Sequence, residues 1–203
     1  MFYQEGLDED LRLGDIVKGY ILAGPIINSP INNIEENNFK IDVIHPEYSV
    51  VISPCCSIEE KSVLLTPLTG LLSIFYKNKY FIQDFTRINR IMEPQNAFPE
   101  DVWNGFTNEE KSRRSQVGLQ YAFVDYFIFN SHDLLQKYTV NRREGNVETN
   151  YYMIDFRKIF RIECGKALKI FKSKILQLSI QTREELRNKI SYYYQRPAKE
   201  DIT

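Results

Sequence analysis

What most limits the folds open to this chain is how short its apolar runs are. "GDIVKGYILAGPII" opens on a turn at Gly14 and Asp15 and continues into a run rich in isoleucine and valine, which reads as a strand. "YSVVIS" and "SVLLTPL" are two further β-type runs separated by "PCCSIEEK", and "KYFIQDF" follows a turn at Lys77, Asn78 and Lys79, so each predicts one more short strand. Residues 28–38, "NSPINNIEENN", are polar and asparagine-rich and read as a loop. Many short strands with irregular connections predict a small, strongly bent sheet or a barrel.

From residue 94 the texture changes. "PQNAFPEDVWNGFTNEEKSRRSQ" combines two prolines, a glycine and a dense charge cluster, and the internal boundary is placed there, giving an N-terminal domain over 1–93 and a strand-and-helix extension over 94–203. Within the extension, "YAFVDYFIF" and "NYYMIDF" are strand-like and flank "NRREGNVETN", an exposed hairpin loop around Glu144 and Gly145. The chain closes on "SIQTREELRNKISYYYQRP". There Thr182 and Glu185 have capping-box spacing, Leu186, Ile190, Tyr193 and Tyr194 share one helical face, and Pro197 supplies a stop. The expected class is α+β.

A chain of 203 residues with 43% hydrophobic side chains can bury a proper core. Its 26 basic and 27 acidic side chains leave a formal charge of -1, so no bulk field draws it to nucleic acid or an anionic membrane. The N-terminus is acidic and broken by glycine, unlike a secretory signal. No apolar run approaches the roughly 20 residues of a membrane span, so a cytoplasmic protein without a membrane partner is expected. Cys55, Cys56 and Cys164 are an odd number, two of them adjacent, and reduced thiols are the default.

Several chemistries lack their residues. "ECGKALK" has a lone glycine before lysine and is no phosphate loop. His45 and His132 are the only histidines, and neither sits in a zinc-protease helix. A zinc site from Cys55, Cys56, Cys164 and His45 would lack knuckle spacing, because adjacent cysteines do not present both sulfurs to one ion; no metal and no cofactor are expected. Asp42, Glu59 and Lys61 have the order of a metal-dependent nuclease site, although an E-x-K triplet in a charge-rich loop is ordinarily a solvated turn. Cys55 would be a nucleophile only with a base such as His45 or His132 beside it; the plainer reading is a small buried hydrophobe at a strand end.

The succession "LGDIVKGYI", "VVISPCC" and "LLTPLTG" resembles the PemK/MazF-like family over about the first 75 residues. The resemblance implies an N-terminal SH3-like β-barrel and a metal-independent ribonuclease toxin. It would make Thr69 the threonine ending the third strand and Ser53 the serine ending the second. The family's arginine falls near Glu47, with His45 two residues earlier, so the cation that would face a phosphoryl transition state is replaced by a carboxylate; His45 could serve as acid or base instead. "VVISPCCSI", "YYMIDF" and "REELRNKISYYYQR" are also similar to a small group of bacterial proteins, with Ser57 where that group has aspartate. That resemblance brings no reaction.

Two functions are therefore expected. The first is a noncatalytic protein-binding accessory subunit of a larger bacterial assembly, for example a defence system. The alternative is a metal-independent endoribonuclease using Thr69, His45, Ser53 or Cys55, with RNA as its partner. Arg113 and Arg114 in "KSRRSQ" and Arg142 and Arg143 in "NRREG" are the candidates for phosphate contact, and solvated loops are the ordinary role of such runs.

Overall fold

Short strands survive only where each lends its edge to a neighbour, because every buried backbone N–H and C=O must find a partner. The computed structural model describes residues 1–27, 39–53, 62–163 and 173–195. In chain order its first strands are β1 (Ile16–Lys18), β2 (Leu22–Ile27), β3 (Phe39–Ile44), β4 (Tyr48–Val51), β5 (Ser62–Pro67) and β6 (Thr69–Gly70). A helical stretch follows, with 3-10 turns at Ser73–Lys77 and Phe85–Asn89 on either side of α1 (Lys79–Ile82). Next come β7 (Ile91–Met92), α2 (Pro94–Ala97), α3 (Glu100–Gly105), α4 (Asn108–Gln116) and β8 (Gln120–Tyr121). The rest is β9 (Tyr126–Phe129), β10 (Tyr138–Val140), β11 (Val147–Thr149), β12 (Tyr152–Asp155), β13 (Phe160–Glu163), β14 (Lys174–Leu176) and α5 (Ile180–Gln195). The chain is mixed α+β with antiparallel pairing throughout these strands.

Contacts divide the chain into two units. One comprises Met1–Glu5, Thr69–Arg157 and Leu178–Thr203, the other Gly6–Leu68 and Lys158–Gln177. The expected boundary near residue 94 falls inside the first, and residues 158–177 return to the N-terminal one.

The N-terminal unit holds a five-stranded sheet in the order β13-β5-β4-β1-β14 and the separate hairpin β2-β3. It does not close into a barrel among the described residues. Gly14, at φ 87°, makes the turn that lets the chain enter β1, a conformation that costs glycine nothing; its N–H donates to Val51 O at 2.8 Å. All four residues of β4 are buried, as expected of a central strand covered on both faces. Val51, Val63, Leu65, Val17, Leu11 and Leu22 form the core, with Ile44, Tyr20, Phe160 and Ile162 packed on it. The acidic N-terminal stretch has a structural task. Asp15 and Lys174 are both fully enclosed and pair at 3.2 Å, Lys174 Nζ also donates to Asp10 O at 2.7 Å, and Gln177 Oε1 accepts from Asp8 N at 2.8 Å.

The other unit is built around the sheet β6-β12-β9 and an aromatic-rich core of Phe75, Phe81, Phe85, Ile88, Ile128 and Met153. Beside β9 the side chain of Asn89 does the work of another strand: its Nδ2 donates to Ile128 O and its Oδ1 accepts from Ile128 N, both at 2.7 Å. A side-chain amide has the same donor and acceptor as a peptide group and can satisfy a strand edge in its place. Tyr138 fixes another join, its hydroxyl donating to Tyr151 O at 2.5 Å and accepting from Leu71 N at 2.7 Å.

Four local expectations change. "KYFIQDF" is helical, because Asn78 Oδ1 accepts from Tyr80 N and Asp84 Oδ1 from Thr86 N, and such caps start helical turns despite the β preference of aromatics. "NEEKSRRSQ" is α4, started by a full capping box between Thr107 and Glu110. In "YAFVDYFIF" the run is broken, with Tyr121 ending β8 and Tyr126–Phe129 forming β9, and the hairpin turning at Gly145 joins β10 to β11. The terminal helix begins before Thr182: Ser179 Oγ accepts from Thr182 N at 3.3 Å, so Ser179 caps it and Thr182 is buried in its first turn. Leu186 is buried, Ile190 and Tyr193 are half-buried, but Tyr194 is 64% exposed, and Lys189 takes the enclosed position on that face. Pro197 lies outside the described residues.

Candidate functional site

The hairpin β2-β3 is the most distinctive surface of the N-terminal unit. Strand alternation sends Leu22 and Ile44 to one face, where Leu22 is in the core and Ile44 packs against it. Gly24 lies on that side too, and a Cβ there would stand 3.2 Å from the Phe160 ring, so any larger residue would need that ring to shift by a few tenths of an ångström. The opposite face carries Ala23 across from Val43 and position 25 across from Ile41. Ile21 is 60%, Ile41 62% and Val43 49% exposed. Ile21 immediately precedes β2, and Ile41 and Val43 lie on β3.

The two candidate hydroxyls each make one hydrogen bond to the backbone. Ser53 is buried and its Oγ accepts from Leu64 N at 2.7 Å, which ties the end of β4 to β5. Thr69 Oγ1 donates to Met153 O at 3.4 Å. His45 stands exposed in the turn between β3 and β4, and Glu47 in the same turn pairs with Lys18 at 3.8 Å. His45, Glu47 and Ser53 belong to one unit and Thr69 to the other. Asp42 is exposed on β3. Cys55, Cys56, Glu59, Lys61 and Cys164 lie outside the described residues. Among the described residues no group of three His, Cys, Asp or Glu could hold a metal ion.

The arginine candidates sit on separate elements. Arg114, on α4, lies over the rings of Phe98 and Phe106 at 5.0 and 4.3 Å, and these rings cluster with Trp103; the guanidinium thus serves as packing for a small aromatic group. Arg113 is 3.7 Å from Glu109 one turn earlier. Arg142 covers the Tyr76 ring at 5.0 Å and pairs with Glu144 at 3.8 Å, while Arg143 is exposed in the same loop. Each pair stands beside an acidic neighbour, which weakens the pull either could exert on a phosphate.

Sequence reasoning missed three buried cations among the described residues, Lys174, Arg183 and Lys189. Lys174 has a signal in hindsight, since an acidic stretch rich in aspartate precedes β1. Lys189 has none beyond its helical spacing from Leu186. Its Nζ donates to Ile88 O at 2.5 Å and lies 5.1 Å over the Tyr121 ring. Burial pushes its pKa well below the ordinary lysine value, opposed in part by Asp125. His132 is structural, with Nδ1 accepting from Leu134 N and the ring edge-on to Tyr3.

Compared with models of known protein families, with curated proteins and with solved structures, the chain matches none. No helix among the described residues is long and apolar enough to cross a membrane.

Proposed function

We propose that this chain is a noncatalytic, protein-binding accessory subunit of a bacterial multi-protein assembly, such as a defence system, acting in the cytoplasm. The observation that carries this reading is the exposed apolar face of the β2-β3 hairpin, with Ile21, Ile41 and Val43 all about half exposed or more. The partner it suits is a protein surface with its own apolar patch, since burying these side chains repays desolvation without needing a charge match. The engagement of Ser53 and Thr69 in backbone hydrogen bonds favours the same reading over a ribonuclease. The SH3-like description of the N-terminal unit belongs with this proposal. It is supported by five antiparallel strands and by the hairpin resting through Gly24 on Phe160 of β13.

The test has two arms on the full-length protein. Purified from its native host through a tag, it is expected to bring down a stoichiometric partner, and Ile21→Lys to lose that partner while keeping its melting temperature. Incubated with single-stranded RNA, with magnesium or with chelator, it is expected to leave the RNA intact. Cleavage that persists in chelator and drops by about a hundredfold in Thr69→Ala and in His45→Ala would replace this reading with the ribonuclease one.

A further inference from the structure

Beside its aromatic-rich core, the unit built around β6-β12-β9 gathers a second, smaller set of rings. Phe98, Trp103 and Phe106 are each half-buried. Phe98 stacks on Trp103 at 6.2 Å and stands edge-on to Phe106 at 5.3 Å, and Trp103 is edge-on to Phe106 at 5.9 Å. Over this set lies a cation: the Arg114 guanidinium is 5.0 Å from the Phe98 centroid and 4.3 Å from that of Phe106. Ring faces are negative and attract a cation held within about 6 Å of the centroid.

The rings are anchored more firmly than the cation over them. Asn78 is buried, and its Nδ2 donates to Asn96 O at 2.7 Å and to Phe98 O at 3.1 Å, which ties the backbone carrying Phe98 to the body of the unit. Arg114 rides on α4, none of whose residues is buried, so the helix can shift without opening a core. The guanidinium also fits its place imperfectly. Among the described residues its enclosed Nε–H has no acceptor, and a buried donor without a partner is costly. A quaternary ammonium group carries the same charge with no N–H at all, so ring faces alone satisfy it. Glu110, one turn before Arg114, is close enough to feel its charge, and that carboxylate favours a cation at this place whichever cation it is. We propose that Phe98 and Phe106, backed by Trp103, form a binding seat for a quaternary ammonium group, which Arg114 fills in the unliganded chain and yields on binding. The seat uses none of the β2-β3 hairpin, so it stands or falls apart from the partner reading above.

Trp103 is the chain's only tryptophan, and its fluorescence reports on the seat. Full-length protein is titrated with choline chloride, with sodium chloride at equal ionic strength, and with the neutral isostere of choline in which a tert-butyl group replaces the trimethylammonium. A saturable change is expected with choline alone. Arg114→Ala removes the competing cation and is expected to lower the dissociation constant for choline by at least about tenfold. Adding Phe106→Leu, which keeps an apolar side chain but removes a ring face, is expected to cancel that gain, with circular dichroism showing a folded chain throughout. Wild type and Arg114→Ala that both ignore choline overturn the proposal. So does an equal response to the neutral isostere, which would make the cluster a plain apolar patch, or a folded Arg114→Ala protein that binds choline no more tightly than wild type. Co-sedimentation with phosphatidylcholine vesicles separates the two sources of the group. Binding to vesicles as well as to choline upholds the seat as one for a lipid headgroup, and binding to choline alone upholds it as one for a free small molecule.

Discussion

Lys189→Met separates two accounts of why a lysine is fully enclosed in the face of α5 that packs inward. The ammonium gains a charge-assisted hydrogen bond to Ile88 O at 2.5 Å, worth about 1.5–3 kcal/mol, and a desolvated contact with the Tyr121 ring, worth about 2 kcal/mol. Against these stands the cost of removing an ion from water, still several kcal/mol after relaxation. Burial is the largest of these effects and disfavours the charged form, opposed in part by Asp125. A side chain of similar length without the charge keeps the packing and drops the desolvation cost, so Lys189→Met is expected to be neutral or stabilising by about 1–4 kcal/mol. Lys189→Ala also loses the packed methylenes and is expected to cost about 2–5 kcal/mol.

The pH dependence of that difference is the sharper measurement. Burial, partly offset by Asp125, holds the folded-state pKa of Lys189 well below the usual value, whereas in the unfolded chain it titrates near about 10.4. Between those two values the unfolded chain binds more protons than the folded one, so stability rises with pH there, by at most about 1.4 kcal/mol per unit for one proton. Below the folded value both states are protonated and the burial penalty is present in full. In urea melts followed by circular dichroism from neutral pH to pH 10, the advantage of Lys189→Met over wild type should therefore shrink as pH rises. Other groups titrate alike in both proteins and drop out of the difference. A variant destabilised by more than about 2 kcal/mol, with a gap from wild type that stays constant over that range, would show that the charged lysine stabilises its site and would refute the reasoning.

Two further changes probe the packing of each unit. Asp15→Ala leaves the enclosed Lys174 without its carboxylate and is expected to cost about 3–5 kcal/mol, read as a lower urea midpoint; a midpoint within error of wild type would show that Asp10 O and Gln177 suffice. Gly70→Ala would put a Cβ 2.7 Å from the Tyr138 ring, which its two hydroxyl hydrogen bonds hold in place, for a cost of about 1–3 kcal/mol. That cost should vanish in the Tyr138→Ala background, and its persistence there would place the strain elsewhere.

The fold was legible wherever burial alone chose the element. "YSVVIS" and "SVLLTPL" became β4 and β5, because a β-branched run between turn formers has few other ways to pair its backbone, whereas the single strand expected in "GDIVKGYILAGPII" is two, β1 and β2, in different sheets. Where capping polar side chains chose, the reading went astray. Asn78 and Asp84 turned an aromatic run helical, although Phe81, Phe85 and Ile88, all buried, already had the three-to-four spacing of a helix face. The return of residues 158–177 to the N-terminal unit could not be read, since strand alternation says which face of β13 is apolar but nothing about which edge it will join.

Function was less legible for a related reason. A catalytic site requires groups from distant parts of the sequence to converge, and several convergent polar groups described here hold the backbone: Ser53 on Leu64, Asn89 on Ile128, Tyr138 on Leu71 and Tyr151, Lys174 on Asp10. A motif search sees residue type and spacing, and these side chains have both; what it cannot see is which backbone groups they bond in the fold. The apolar side chains of β3 present the opposite case. Ile41 and Val43 lie on β3, a strand the sequence did not single out, and the fold leaves them in water at 62% and 49% exposure. Burying such side chains is the largest favourable term a chain of this size has, and their exposure is therefore what supports the proposed protein-binding role of the hairpin.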